Sequence, residues 1–377
     1  MTVHVASVGM VRFGKRPESL VELAAEAGAG ALEGVGRRPI DLLVVGSMMA
    51  HGPHGPEALL PRLAGRLGVE SASGYRVDGA SATGAMAFHA AALAIETGRF
   101  DRALVVAGEK MTDRTTAENT RDLSASLHTS EVAAGATMPA LAAIVAQRYL
   151  QRHGGTPAIF DAATVHARAM AARNPFAHFQ KPVTLEEVAA SKMVASPLRL
   201  LHCSAMSDGA TAVVLEKGDG PAGVLGLGQG FEALRVVDRN DLTTFGATRV
   251  AAQRAYENAK VGPKEVAVAE VHDAFSPFLF IHMEDLGFCE VGEGPATLAR
   301  GDAGPDGRIP VNPSGGVVGR GHPVAASGLA EIAEVALQLR EEAGAHAVAT
   351  PPRVGLAQAV GGIASHNFVT ILGRSGT

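Results

Sequence analysis

Four stretches carry residue types that could act on a carbonyl. The first is Val77-Asp78-Gly79-Ala80-Ser81-Ala82-Thr83-Gly84-Ala85-Met86, which reads as a strand end, a tight turn and the start of a long apolar helix. Ser81 sits where strand becomes helix. Backbone N–H groups at that point lack intrahelical partners, and the local field is positive. A developing oxyanion would find donors there. Read locally, Ser81 is simply an N-cap, the usual role of Ser at a helix start. The second stretch, Glu270-Val271-His272-Asp273-Ala274-Phe275, puts His272 at the C-terminal end of a buried strand. Open α/β sheets gather their active sites at such ends. Alone, His272 reads equally well as a satisfied core histidine. In the third, Asn312-Pro313-Ser314-Gly315-Gly316-Val317-Val318-Gly319-Arg320-Gly321-His322-Pro323, glycines crowd a histidine just ahead of a helix. Backbone with so little side chain can pass close to a ligand. The fourth, Ala359-Val360-Gly361-Gly362, supplies either a further oxyanion donor or a plain turn.

The elements that must position these stretches follow from periodicity. Residues 3–11 read as a strand, 19–32 as a helix with Leu20, Leu23, Ala24 and Ala27 on one stripe, and 41–46 as a short apolar run typical of a buried parallel strand. A helix over 56–67 precedes the Ser81 strand, turn and helix, and 102–109 is the next buried strand. Strands alternating with helices imply an α/β layer architecture. From 111 to 204 the buried-strand runs stop and charged, Asn, His and Met residues rise, as in a helical insertion or lid, with helices expected over 137–151, 159–172 and 184–191. Strand character returns over 209–217. A second block then runs through strand 224–231, helix 248–260, strand 266–271, helix 277–286, a Gly/Pro/Asp-rich loop over 291–309, helix 323–342 and strand 367–372. The two blocks share a plan, with Ser81-Ala82-Thr83-Gly84 opening one long helix and Ala326-Ser327-Gly328 in the first turns of the other. Small residues at both starts would let two buried helices pack closely, and the pattern reads as an internal duplication. The expected division is 1–110 with 205–218, the insertion 111–204, and 219–377.

Bulk properties narrow the class. The 377 residues suffice for two or three domains, and 47% hydrophobic with 19% charged residues allows large cores. A net charge of −5 offers no basic face for nucleic acid. Cys203 and Cys289 cannot form a disulfide framework, fit a reducing cytoplasm, and lie in no metal-binding spacing. No secretory signal or membrane span is expected. Gly226-Leu227-Gly228-Gln229-Gly230 lacks the G-x-G-x-x-G spacing of a dinucleotide fold, and no G-x-S-x-G elbow occurs.

Together the four stretches resemble the thiolases, in particular the sterol-carrier-protein-x and archaeal acetyl-CoA acetyltransferase type. Thr137-Met138-Pro139-Ala140-Leu141, Asn174-Pro175, Ser207-Asp208-Gly209-Ala210 and Glu284-Asp285-Leu286-Gly287-Phe288-Cys289-Glu290 extend the match over almost the full length. The segment 312–323 is its most specific part. The resemblance implies two βαβαβαββ halves layered α-β-α-β-α, with a helical lid that binds coenzyme A. It implies a cytoplasmic enzyme of acyl-CoA metabolism, a homodimer or dimer of dimers, acyl-CoA as substrate with no permanently bound cofactor, and in some relatives a small zinc-ribbon and OB-fold partner. Residue 81 would be the acylated nucleophile and His322 its base. His272 would hold the thioester oxygen through a water, and the N–H groups of Ser81 and Gly361 would form a second oxyanion hole. Met138, Phe275, Ser314 and Gly362 would line the substrate site.

The departures bear on mechanism. Thiolases carry Cys where this chain has Ser81, and a second catalytic Cys at the position of Ala359 or Ala274. A thiol ionises near about 8.5, lower at a helix end, whereas a Ser hydroxyl must lose its proton to a positioned base during attack. The leading reading is a thiolase acting through an acyl group on residue 81, with Ser an engineered or natural replacement. The alternatives are a retro-aldolase on a β-hydroxyacyl-CoA that keeps the oxyanion sites and needs no nucleophile, and a non-catalytic thiolase-like subunit. His366 is a further acid–base candidate, with packing as its plainer role.

Overall fold

The first strand, β1 (Val3–Met10), alternates buried and half-buried residues, as a strand with one covered face must. The computed structural model to which it belongs describes residues 2–36, 38–50 and 58–374. Helix α1 (Leu20–Glu33) starts at a capping box of Ser19 and Glu22 and buries Leu20, Leu23, Ala24 and Ala27. Strands β2 (Leu42–Gly46) and β4 (Arg102–Glu109) are buried throughout, as their unbroken apolar runs require. Between them lie α2 (Leu59–Leu67), β3 (Ser73–Val77) and α3 (Thr83–Glu96). The expected helix start at residue 56 lies outside the described residues.

After β4 come α4 (Thr116–Leu123), α5 (Thr129–Ala133), α6 (Met138–His153), α7 (Ala158–Ala171), α8 (Leu185–Ala190) and the small hairpin β5 (Met193–Ala195)–β6 (Leu198–Arg199). Both ends of this segment meet at Asp208. Its buried carboxylate accepts from the backbone N–H of Met111 and Thr112, the Thr112 hydroxyl and the Lys110 ammonium, at 2.6–2.8 Å. Strand β7 (Gly209–Lys217) then returns to the sheet.

The remainder repeats the plan: β8 (Gly223–Phe231), α9 (Gly246–Ala259), β9 (Val268–Val271), α10 (Ser276–Asp285), α11 (Gly294–Ala299), α12 (Gly316–Arg320), α13 (Val324–Leu339), β10 (Val354–Gly361) and β11 (His366–Gly373). The sheet order is β3-β2-β4-β7-β1-β8-β11-β10-β9. Read outward from the β1–β8 junction, both halves run antiparallel, antiparallel, parallel. The parallel partner that β3 gives β2 is echoed by a single bridge from Val311 to Ala269. Matching order and sense in the two halves is the duplication read from the sequence.

Helices α3 and α13 pack against each other at their N-terminal turns. A Cβ on Gly84 would lie 2.5 Å from Leu329 N and 2.7 Å from Ala325 O. One on Gly328 would lie 3.2 Å from Ala85 N and 3.3 Å from Ser81 O. Helix α13 is buried almost all round, while α3 exposes Leu93.

Three expectations need correction. Ala359-Val360-Gly361, for which a plain turn is one reading, instead end β10, a buried strand between β9 and β11. Its Gly and Ala content hides it, since such residues have little strand propensity of their own. The loop over 291–309 contains α11, and the Gly-rich segment over 312–323 contains α12.

Gly84→Ala should lower stability by about 1–3 kcal/mol, because the new methyl meets backbone that cannot step aside. Gly28→Ala, which meets only the Leu67 side chain at 2.8 Å, is the control and should be close to neutral. Equal urea midpoints for the two variants would show that the α3–α13 approach is not tight.

Candidate active site

The Ser81 turn is built by its neighbours. Ala80 adopts φ 52°, a left-handed conformation unusual for a residue with a side chain. Asp78 Oδ1 accepts from Ala80 N at 3.0 Å, and Thr83 Oγ1 accepts from Gly79 N at 2.8 Å while donating to Ala80 O at 2.6 Å. His366 Nε2 donates to Gly79 O at 2.7 Å, so His366 holds the turn from outside. The helix is capped at Ala82 without a side-chain bond, so Ser81 is not an N-cap. Its hydroxyl instead faces Nε2 of His322 at 3.3 Å.

His322 is positioned from three directions. Its backbone N donates to Ala205 O at 3.0 Å and to Ser207 Oγ at 3.2 Å. Its Nδ1 lies 2.8 Å from Ser327 Oγ in the first turn of α13. The Ser327 oxygen can accept from Nδ1–H, its own hydroxyl then turning to Pro323 O at 3.5 Å. That tautomer puts a lone pair on Nε2, toward Ser81. Burial, with His272 and Arg320 nearby, holds the His322 imidazole well below its ordinary range. The ring is therefore neutral and able to take a proton.

His272 stands edge-on to His322, with ring centroids 5.2 Å apart. Its Nδ1 lies 2.7 Å from Glu331 Oε1, and its backbone N donates to Gln358 Oε1 at 3.0 Å. Its Nε2 is buried and makes no hydrogen bond. Burial and the Arg320 charge push the imidazole down to about 3. Beneath the two histidines lies a dry group of charges. Arg320 donates to Ser314 Oγ at 2.9 Å and reaches Glu270 Oε2 at 3.5 Å. Glu334 pairs with His346 at 2.7 Å and accepts from Asn174 Nδ2 at 2.8 Å. Asp273 accepts from Val317 N at 2.5 Å, and burial raises its carboxyl to about 7.

Ser81, His322 and His272 thus converge. Gly361 ends β10 on the His366 side of the turn, where a Cβ would meet the His366 ring and come within 2.6 Å of Gly79 O. Gly362 follows at φ 62°, beside Ser126 O. Phe275 is buried and packs edge-on to Phe278 at 5.4 Å, and Met138 packs on the same core. Ser314 is fully buried, its hydroxyl donating to Glu270 at 2.6 Å, so its side chain serves the charge group and not a substrate surface. Sequence reasoning passed over Glu331 and Gln358, which sit in elements where nothing but burial marks them. Ser327 was noticed only for its size. A cleft of about 470 Å³ opens on the other side of the turn, lined by Asp78, Gly79, Ala80, Arg114, Ser126 and His366 among others. Among the described residues no group of His, Cys, Asp or Glu could hold a metal ion, and no helix is long and apolar enough to cross a membrane.

A duplicated α/β fold with paired buried helices, a hydroxyl at one helix start and a neutral imidazole at the other defines a class of carbonyl-directed proteins. The chain belongs to the thiolase family: the N-terminal thiolase domain matches residues 3–219, and the thiolase C-terminal domain-like family matches 228–374. It is 37% identical to an acetyl-CoA acetyltransferase of Methanothermobacter thermautotrophicus, over 99% of both chains. It is 32% identical to the benzoylsuccinyl-CoA thiolase subunit BbsB of Thauera aromatica, over 96% of this chain and 94% of that one. A solved structure described as Ltp2-ChsH2(DUF35) aldolase superposes with a TM-score of 0.84 at 25% identity, covering 100% of this chain and 98% of the other.

The local field of the turn can be probed without a substrate. In Ser81→Cys, iodoacetamide should alkylate residue 81 at neutral pH at least about tenfold faster than Cys203 or Cys289. Burial raises those two thiols to about 12 and about 11. Peptide mapping of a time course reads the rates, and labelling of Cys203 and Cys289 at the rate of residue 81 would show that the turn does not activate a nucleophile.

Proposed function

We propose that this chain is a coenzyme A thioester enzyme that breaks, or in reverse forms, the Cα–Cβ bond of a β-hydroxyacyl-CoA by retro-aldol chemistry without a covalent intermediate. One observation carries the reading. The site offers one competent base, His322, and one free buried imidazole nitrogen, Nε2 of His272, while Ala359 and Ala274 stand where thiolases carry their second Cys. Claisen chemistry needs a second base to take the α-proton after acylation. A retro-aldol step does not. His322 Nε2 takes the proton of the β-hydroxyl, the Cβ oxygen becomes a carbonyl, and the Cα–Cβ electron pair moves into the thioester as an enolate. His272 holds the enolate oxygen, directly or through a water. The His322 imidazolium then protonates Cα, giving a shorter acyl-CoA and a ketone or aldehyde. The likeness to a structure described as an aldolase supports this order of readings.

A second reading keeps the expectation from the sequence, an acyl group on Ser81. The 3.3 Å approach of its hydroxyl to a neutral imidazole favours it, as do relatives named for acetyl transfer. In both readings the 111–204 segment and the cleft facing it bind the coenzyme A portion, whose phosphates make affinity fall with salt. No resident cofactor is required. We further propose a cytoplasmic protein acting as a homodimer or dimer of dimers. A small zinc-ribbon and OB-fold partner is included in the proposal, in keeping with the two components named in the aldolase structure.

Mass spectrometry of the products from β-hydroxyacyl-CoA and from 3-oxoacyl-CoA plus free CoA separates the readings. Retro-aldol cleavage should fall on the order of 10²–10⁴-fold in His322→Ala and stay within about tenfold in Ser81→Ala. Its acid limb should lie below pH 6.5, the ordinary histidine value, because protonation disables the base and His322 is held well below that value. Loss of turnover in Ser81→Ala, together with an acyl adduct on Ser81 that forms and discharges at the turnover rate, would replace the retro-aldol reading with the covalent one. Ser81→Cys should then strengthen acylation.

A further inference from the structure

We infer that Glu331 is a positioning residue: through Nδ1 of His272 it keeps a hydrogen on Nε2, so that His272 meets the reacting oxygen as a donor. The inference rests on the reading of His272 as the group that holds the thioester oxygen, and says what makes it able to do so.

Glu331 sits on the face of α13 turned toward β9, with its side chain fully buried and Oε1 2.7 Å from Nδ1. One hydrogen occupies that line. If the buried pair carries no net charge, it holds two hydrogens on four atoms. One lies between Nδ1 and Oε1, and the other is on Nε2 or on Oε2. A hydrogen on Oε2 would have no acceptor, whereas one on Nε2 meets the reacting oxygen. A pair with a net negative charge would also leave Nε2 bare. Burying such a charge without full pairing is costly. The second carboxyl oxygen, Oε2, is buried and has no hydrogen-bond partner among the described residues, which an ionised carboxylate tolerates poorly.

The surrounding groups make no hydrogen bond to the pair's outer atoms, Oε2 and Nε2, although Arg320 Nε and His282 Nε2 are themselves buried without a partner. Arg320 is engaged by Ser314, Glu270 and the Ser327 carbonyl. Glu334 is taken up by His346 and Asn174, and Asp273 by the N–H of Val317. Of the neighbouring histidines, His282 is turned to Thr248 at 3.3 Å and His322 to Ser327 and Ser81. Burial raises the Glu331 carboxyl well above its usual range, against the pull of Arg320, in line with a neutral pair.

The two site imidazoles are thereby set to opposite tautomers. Ser327 accepts from His322 Nδ1–H and frees the lone pair on Nε2, while Glu331 occupies His272 Nδ1 and leaves the hydrogen on Nε2. One ring moves the proton and the other holds the oxyanion.

Long-range ¹H–¹⁵N correlation spectra of the full chain labelled in histidine test this directly, with His272 assigned by its loss in His272→Gln. In the unaltered protein Nε2 should be protonated across the neutral range. Glu331→Gln, whose amide can donate to Nδ1, should keep that pattern and retain kcat within about tenfold, whereas Glu331→Ala should lose the pattern and about 10²-fold in kcat with little change in KM. A neutral His272 protonated on Nδ1 in the unaltered protein overturns the inference. So does a Glu331→Ala protein with the unaltered spectrum, or a Glu331→Gln protein that behaves as Glu331→Ala does. Absence of turnover on any CoA thioester would instead remove the functional reading, and the spectra would still decide the tautomer.

Discussion

The contact between the first turns of α3 and α13 is the constraint on which the site depends. Two helices from opposite halves of the chain approach until backbone nearly meets backbone, with room only for glycine at 84 and little more than that at 328. The approach brings the start of α3, carrying Ser81, to the start of α13, carrying His322 and Ser327. The duplicated sheet, with matching strand order on either side of the β1–β8 junction, sets the two helices at equivalent places in their halves. A hydroxyl and an imidazole separated by 241 residues thus meet at 3.3 Å.

The second feature is the dry cluster of charges beneath the histidines. A fully buried guanidinium, Arg320, lies among Glu270, Glu331 and the Glu334–His346 pair. Such clusters contribute little net stability, because desolvation offsets attraction. Their effect here is electrostatic and geometric. Burial first, and then the positive charge of Arg320, keeps the His322 and His272 rings neutral. Hydrogen bonds from Ser314, Asn174 and the backbone of α12 fix the carboxylates in place. The segment that carries His322 also supplies Ser314, Val317 and Arg320 to the cluster, so His322 and its electrostatic setting are one construction.

Serine at position 81 changes what this frame can do. A thiol at a helix start with a neutral imidazole beside it acts as a nucleophile readily, while a hydroxyl requires proton removal in the act of attack. The frame for stabilising negative charge on a carbonyl oxygen is indifferent to that exchange. In the proposed readings His272, the end of β10 at Gly361 and the turn itself would serve an enolate as well as a tetrahedral intermediate. With alanine at 274 and 359, the proposed chemistry is the kind needing one base and one oxyanion site.

Much of the fold was legible in the residues. The continuous apolar runs of β4 and β7 occupy the very residues 102–109 and 209–217 that their hydrophobicity marks, since a strand covered on both faces can carry little else. Capping residues Ser19, Thr137 and Thr184 set three helix starts. The Gly-rich segment before His322 pointed to the site because few other roles need so much bare backbone before a buried helix. Strand β10 was not legible, because its small residues gain strand character only from the partners on either side. Nor was Glu331. With Glu334 it has the spacing of a solvated helix face, and it is the packing of α13 between the two halves that turns that face inward. Sequence determined which residues could do chemistry and which segments could form elements, since those follow from side-chain type and local period. The tertiary structure alone decided which polar groups lost their water, and that loss sets the charge and tautomer of each group in the site.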